Sequence, residues 1–489
     1  MIQLFRGALP YRGRHARTLL VCALAAAVLG PLFGQEGPPA VRRISPDEAV
    51  SLAIQNNLSL ESSRNSVAAK KRASDYSWNV FIPTIDVSGS LVLPNAETTV
   101  SGLVPFPLSE TAMPGVYEQV MNYSMTVDPA WTVAASLQIS LNLNYALIEG
   151  MKNARLEYEG GLITLEKAKA QLERDVRKSY YQMLLLQEQI ALFEDNFAAA
   201  EQRAARAQAS YRSGQAPELT YLQAQVAVET MKPTRDQLVN GLKLAMASFA
   251  MNLGLPYDTP FELVPVSGDT VFIPLDVADL ISRASANKLD IQELRHQALV
   301  LQSTRKKTVY QLFTPNISLS WNAAPTFTGD FGTDNLFSDN WRDSGMFRFT
   351  LAYRLNTLFP FTSEGQGLKS IDEGLRSLAV GLAQMVRGTE LEVYNTVFSL
   401  EQAKASIESQ RFTVDMAERT RRLTDQAYRA GLSDLLDVQN AEAQLQQARI
   451  GVLEQQFNYI KGLIDLEYSI GVPFGTLSSP GAGTEDRSE

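Results

Sequence analysis

The sequence predicts a mainly α-helical chain with a small β part, built by duplicating one unit of helix, strand, strand, long helix and helix. Three observations predict it. First, residues 173–256 and 390–473 align without a gap when the chain is shifted by 217 positions. Tyr211-Arg212-Ser213-Gly214 then falls on Tyr428-Arg429-Ala430-Gly431, and Leu253-Gly254-Leu255-Pro256 on Ile470-Gly471-Val472-Pro473. A period this long marks a duplicated half-protein, not a short-repeat solenoid. Second, each copy reads as a long helix, a tight turn at glycine and a returning helix. Third, each half carries two segments of period two ahead of its long helix.

The N-terminus reads as an export signal. Arg6, Arg12, Arg14 and Arg17 precede an apolar run over residues 18–29, with small residues and Gly34-Gln35 beyond. Residues 1–34 are assigned to this signal; the run is shorter than a membrane-spanning helix needs. With its four arginines removed, 53 acidic residues outweigh the remaining basic ones and the formal charge is −13. An acidic chain is a poor partner for nucleic acid. Apart from the signal, no segment has the length and apolarity of a spanning helix, so a membrane-crossing mature protein would cross as a β-barrel. The single cysteine, Cys22, lies inside the signal, which leaves no thiol nucleophile and no disulfide. The residue before it, Val21, is not small, which argues against acylation there. His296 is the one histidine outside the signal and falls on a polar helix face, where it is expected to be solvated. No nucleophile–base set, metal cluster or phosphate loop is present, so neither an enzyme nor a cofactor is expected.

Taken in order, Ser45 is a candidate N-cap with Pro46 at the first helical position, opening a helix to about Val80. Its counterpart runs from Asp276 to Leu312, with Asn57-Leu58 and Lys288-Leu289 in similar places. Each helix ends at a proline and gives way to alternation. The predicted strands cover about 83–93 and 132–145 in the first half, and 315–323 and 346–356 in the second. Leu137, Ile139, Leu141 and Leu143 share one face of the second strand. Phe347, Phe349, Leu351, Tyr353 and Leu355 share one face of the fourth, opposite Arg348 and Arg354. These lengths suit tilted membrane strands with lipid on one side and water on the other; a small soluble sheet over a core would alternate in the same way. Four strands cannot close a useful barrel, so the membrane reading requires several chains to share one.

The connections over 94–130 and 325–345 read as long polar external loops; the acids of the second, Asp330, Asp334, Asp339 and Asp343, match no calcium-loop spacing. From Met151 to Tyr211 the chain lacks proline, with only Gly160-Gly161 to interrupt a helix. Leu165, Ala168, Leu172, Val176, Tyr180, Met183, Leu186 (or Leu185), Ile190, Phe193 and Phe197 trace a coiled-coil seam. Leu435, Val438, Ala441, Leu445, Ala448 and Val452 do so in the second copy. This pattern fits a hollow cylinder or a solid rod. The first repeat thus spans 35–256, the second 257–474, and 475–489 reads as a disordered tail.

Helix, strand, strand, long helix, turn and helix, occurring twice behind an export signal, resembles the TolC-like outer-membrane efflux proteins (outer membrane factors). The likeness covers about 45–474. Its most specific residues are the turn motifs at 211–214 and 428–441, with the Gly-x-Pro ends at Pro256 and Pro473. The resemblance implies a homotrimer: twelve strands in one shared outer-membrane β-barrel, continued by a twelve-helix α-barrel tunnel in the periplasm. It also implies passive passage of solutes from an inner-membrane transporter, through a periplasmic adaptor, to the exterior. Opening would be an iris-like shift of the inner coiled-coil pairs.

In such proteins the turns form a periplasmic aperture, with acids six and nine positions after the second-copy glycine. Here those positions hold Asp437, which matches, and Asn440, which does not. Three copies of Asp437 around an axis would favour cations, with carboxylate pKa values raised by like charge. Asp434 would add charge at the rim. Thr220 and Ser433 stand where the family places an acid and a base that close the aperture, so those links would be hydrogen bonds, with Tyr428 and Arg429 available to compensate. As an alternative, Asp437 is simply a helix-N-terminal acid favoured by the macrodipole. Gly214 and Gly431 supply positive φ at the turns. Tyr211, Arg212, Gly214, Arg429 and Gly431 are the adaptor-docking candidates, core packing being the alternative for Tyr211 and Tyr428. Two other readings remain open: the same duct serving type I protein secretion, and a non-conducting coiled-coil tether of the envelope.

Overall fold

A computed structural model describes residues 42–107, 117–127, 130–265, 272–329, 341–355, 359 and 361–477. The export signal with Cys22, the acids Asp330, Asp334 and Asp339, and residues 478–489 lie outside the described residues.

The chain begins with β1 (Arg42–Ile44), α1 (Pro46–Asn56) and α2 (Leu58–Asp75), followed by a 3-10 turn at Ser77–Phe81. Ser45 caps α1 as expected, accepting from Glu48 N. The single helix expected as far as Val80 is broken at Asn57, which leaves the helical region at ψ 120°. The Asn57 side chain accepts from Ser59 N (3.0 Å) and Leu60 N (3.2 Å), so it caps the new helix. In the second half α5 (Val277–Asn287) and α6 (Leu289–Phe313) are separated the same way at Lys288. Lys288 is buried and its Nζ lies 2.5 Å from Glu392 Oε2.

Both breaks lie against the same feature. After the returning helices α4 (Glu218–Asn252) and α8 (Leu435–Ile470), the chain turns through Gly254 (φ 73°) and Gly471 (φ 67°). A Cβ on Gly254 would lie 2.4 Å from Asn56 O, and one on Gly471 3.0 Å from Asn287 O. Each elbow therefore rests on the glycine turn of its own half.

Two pseudo-equivalent cores hold these elbows. Val176, Tyr180, Met183, Phe249 and Leu253 pack with α1 and the parallel pair β1–β6 (Phe261–Leu263) in the first. The positions 217 residues on, Val393, Val397, Leu400, Leu466 and Ile470, pack with Leu280 and Ala284 in the second. The Tyr180 hydroxyl reaches Ile44 O (2.9 Å) and Val264 O (2.8 Å), donating to one at a time, and burial pushes its pKa up to about 12. The repeat fails at Glu467, the partner of Ala250. Its buried carboxylate accepts from Gly475 N (3.0 Å) and Leu477 N (2.8 Å), so the segment read as a tail from Gly475 is held as far as Leu477.

The long helices α3 (Ala146–Arg212) and α7 (Ser363–Arg429) each run 67 residues, about 100 Å at helical rise. Gly160 and Gly161 do not interrupt α3. They let neighbours approach: a Cβ on Gly160 would sit 2.8 Å from His296 Cδ2. His296 is accordingly partly buried against α3 rather than freely exposed. Its Nε2 lies 2.6 Å from Leu156 O across the α3–α6 contact. Of the predicted seam, Val176, Tyr180, Met183, Leu185, Phe193 and Phe197 are buried.

The strands β2 (Thr84–Val92), β5 (Trp131–Leu143), β7 (Asn316–Ala323) and β10 (Met346–Ala352) form one antiparallel sheet in the order β2-β5-β7-β10. Register puts Val87 opposite Leu137, Leu141 opposite Leu319, and Leu319 opposite Phe349, so one face is apolar across all four strands. The other face carries Ser88 opposite Ser136, their hydroxyls 2.7 Å apart, and Ser318 opposite Thr350. The loop expected over 94–130 contains a hairpin instead, β3 (Thr98–Pro107) with β4 (Tyr117–Val127). Beyond β7, β8 (Pro325–Gly329) pairs with β5 and with the two-residue β9 (Arg342–Asp343).

The two glycine classes separate by substitution. Gly214→Ala, at φ 73° with nothing within 4 Å, should cost only about 1 kcal/mol of left-handed strain. Gly254→Ala adds the collision with Asn56 and should cost about 3 kcal/mol. Thermal unfolding of the two variants checks this; equal shifts in Tm would contradict it.

Candidate functional site: the paired hairpin tips

The turns α3–α4 and α7–α8 form two tips of one design. Gly214 N donates to Tyr211 O (2.9 Å) and Gln215 N to Ser210 O (2.8 Å). At the second tip Gly431 N donates to Tyr428 O (3.0 Å) and Leu432 N to Ala427 O (2.8 Å). These are the two bonds of a Schellman stop, which needs a left-handed residue; Gly214 and Gly431 provide it at φ 73° and 74°.

Around this shared frame the side chains differ. Tyr211 stacks on Tyr221, ring planes 2° apart and centroids 5.9 Å apart, while 39% of it stays exposed. Tyr428 packs beside Ala207, Ala224 and Leu435, where the two hairpins meet, so it is a core residue of the tip. Arg429 pairs with Asp425 at 2.7 Å, one turn back on α7. Arg212 is exposed.

Asp434 and Asp437 open α8. Asp437 Oδ2 accepts from the Ser433 hydroxyl (2.7 Å) and from Asp434 N (3.2 Å), reaching back over the helix start. The Ser433 hydrogen bond first, and then the Asp434 N–H, hold this carboxyl below the usual aspartate range. Asp437 is exposed; within one chain its local bonds therefore stabilise the charged form. Ser433, Asp437 and Asn440 line one shallow groove on the α7–α8 hairpin together with Thr420 and Thr424. Thr220 is not brought to that groove. It lies in the first turn of α4, half-buried, with its N–H on Pro217 O (3.2 Å).

The links between the hairpins lie farther from the tips than the sequence suggested. Arg203 on α3 is paired with Glu442 on α8, and Arg421 on α7 stands 3.9 Å from the same carboxylate. The Glu442 side chain is only 11% exposed. Two turns back along α3 and one turn on along α8, the Asn196 amide donates to Gln446 (2.5 Å). Partners so far apart in sequence leave no local signature, and the residues 217 away from Arg203 and Glu442, Thr420 and Gln225, carry no charge.

Comparison with known proteins agrees with this architecture. Residues 49–243 match the family model described as outer membrane efflux protein. Among curated proteins none matches the sequence significantly. The structure is similar to that of CusC, studied for folding and transmembrane channel formation, with TM-score 0.65 and 16% identity over 90% of this chain and 96% of that one. It is similar to the outer membrane protein VceC of Vibrio cholerae, with TM-score 0.62 and 15% identity over 88% and 96% of the two chains. The open state of the MtrE outer membrane channel of Neisseria gonorrhoeae gives TM-score 0.62 and 15% identity over 87% and 89%. At these identities the structural likeness shows the fold: an outer-membrane channel fold of helical tunnel and β-barrel strands. Residues 49–243 thus resemble the outer membrane efflux proteins in sequence, and the chain has the fold of the TolC-like outer-membrane channels.

The bonds at Asp437 set a pH dependence. A carboxyl whose folded pKa is lowered stabilises the folded state above its unfolded pKa, and this contribution is lost as pH falls through the lowered value. Amides at the start of α8 should therefore lose hydrogen-exchange protection as acid protonates Asp437, and Ser433→Ala should move that loss to higher pH. An unchanged midpoint in Ser433→Ala would show that the hydroxyl does not hold the carboxylate.

Proposed function

We propose that this protein is the outer-membrane exit channel of a tripartite efflux system, conducting small molecules or ions passively from an inner-membrane pump to the exterior. The observation that carries the reading is the four-strand sheet. Its apolar face is open, with Val87 78% and Phe347 67% exposed. Its outer strands β2 and β10 have no further strand partner among the described residues. An apolar face without a core and two open edges suit lipid and neighbouring copies. In a homotrimer the sheets complete a twelve-stranded barrel and the long helices continue it as a periplasmic tunnel.

Within that assembly Asp437 lines the narrow periplasmic end, with Asp434 at its rim and Asn440 beside it. Three such carboxylates attract cations and repel anions. Their mutual repulsion opposes the lowering that Ser433 imposes in one chain. Arg203–Glu442 and Asn196–Gln446 couple the two hairpins above the aperture, a role the sequence had given to Thr220 and Ser433. The exposed Tyr211, Arg212 and Arg429 at the tips are the surface offered to a periplasmic adaptor protein.

Planar-bilayer conductance of the purified protein tests this. Wild type should show a small cation-selective conductance, and Asp437→Ala should conduct more or lose selectivity. Conductance indifferent to Asp437 would move the constriction away from it. A folded, assembled protein that never conducts, in either form, would favour an envelope tether.

A further inference from the structure

Four helices stand side by side below the sheet, each joined to one of its strands. α2 leads through the 3-10 turn to β2, β5 leads to α3, α6 leads to β7, and β10 leads to α7. α2 packs on α3, α3 on α6, and α6 on α7. Where helices meet strands, a cavity of about 1180 Å³ touches all four, at Arg72, Gly150, Lys307 and Gly367. A cavity shared by four neighbours in one layer lies on a single side of that layer. The strand residues at its floor tell which side. Asn316 and Ala352 line it and have the parity of Ser318 and Thr350, so they belong to the polar face of the sheet. Asn144 pins the floor beside them: its Nδ2 donates to Pro315 O (3.3 Å) and its Oδ1 accepts from Ala146 N (2.8 Å). The cavity therefore opens on the side that the proposed channel fills with water.

Its charge opposes that of the chain. The whole sequence carries a formal −9. Arg72, Lys307 and Arg354 line the cavity against a single carboxylate, Glu364. Glu364 lies close enough to Arg354 to feel its charge. Other cations on the same helices are paired, Lys70 with Glu157 at 3.8 Å and Arg305 with Asp372 at 2.5 Å. Arg72 and Lys307 make no ion pair among the described residues. Asp75, three residues after Arg72, is exposed and does not line the cavity. Lys307 lies across α3, where a Cβ on Gly150 would be 3.8 Å from its Cε. Tyr76 and Val80, 60% and 41% exposed, give the cavity apolar wall. A concave site with an apolar wall and a few convergent charges has the form of a small-molecule site.

We infer that this junction cavity binds small organic anions, with Arg72 and Lys307 drawing a carboxylate and the apolar body lying on the wall at Tyr76. Every residue of the site comes from one chain. Its role as a station for outgoing solute rests on the exit channel proposed above, and gives that channel a solute class. Asp437 lies at the far end of the 67-residue α7, many times the Debye length of about 8 Å away, so the two charges act independently. An anion meets the Asp437 field only while that end is narrow, and widening it beyond a Debye length removes the barrier.

Equilibrium dialysis of 2-naphthoate against the full-length protein in nanodiscs tests the site, with uncharged 2-naphthamide reporting apolar partitioning. Wild type should bind naphthoate saturably, and Arg72→Gln with Lys307→Gln should weaken that binding about tenfold. Lys306→Gln removes an exposed charge that does not line the cavity and should leave binding unchanged. Naphthamide should bind all three forms alike. Equal naphthoate binding in wild type and the double variant overturns the site, and so does an equal loss in Lys306→Gln. Planar-bilayer current on the same samples keeps the site apart from the channel reading. Charge-dependent binding by a protein that never conducts would uphold the site and contradict its role in export. A conducting protein whose naphthoate binding ignores Arg72 and Lys307 overturns the site alone.

Discussion

A helix about 100 Å long has more apolar flank than one chain of this size can cover, and the rest of the structure follows from that constraint. Each long helix buries one flank against its own returning helix. The elbows at Asn57 and Lys288 cover a second stretch near Tyr180 and Val397, where short helices fold back. What remains open is shared unequally: α3 also packs on α6 and α8 of the second half, whereas among the described residues α7 packs extensively on no helix of the first half. The same imbalance holds in the sheet, where β5 and β7 are paired on both sides and β2 and β10 on one. A duplicated chain with one satisfied and one unsatisfied set of edges is built to be completed by copies of itself.

The duplication is close in backbone and loose in side-chain chemistry. Turn glycines, the lengths of the long and returning helices and most apolar positions of both cores are kept. Charge is not. The ion pairs Lys178–Asp465 and Arg203–Glu442 and the cluster of Lys167 with Asp290 (2.7 Å) and Glu293 (2.8 Å) all involve α3. Their counterparts on α7, Asn395, Thr420 and Gln384, are uncharged. Partly buried charge pairs add little net stability but penalise wrong pairing strongly.

Much of this was legible in the sequence because it rests on local periodicity. The 67-residue helices, the Schellman turns and the four sheet strands follow from proline spacing, glycine position and alternation, and agree with the structure to within a few residues. The features that were missed depend on contacts far away in the chain. Asn57 and Lys288 break their helices where Gly254 and Gly471 approach the preceding residue. His296 packs against α3 because Gly160 leaves space opposite it. The hairpin β3–β4 was hidden by Pro105 and Pro107, which suit an edge strand but read as loop. At the tips, the acids and turns were visible, whereas Arg203–Glu442 joins residues on different hairpins and leaves no pattern in either.

In the proposed channel, copies of this chain close a ring around an axial tunnel. A cryo-electron microscopy map of the protein in lipid nanodiscs tests it most directly. The account predicts three-fold symmetry, β10 of one copy hydrogen-bonded to β2 of the next, and an open axis narrowing towards Asp437. A map in which α7 lies on α4 of its own chain, leaving a solid bundle with no axial space, would contradict it.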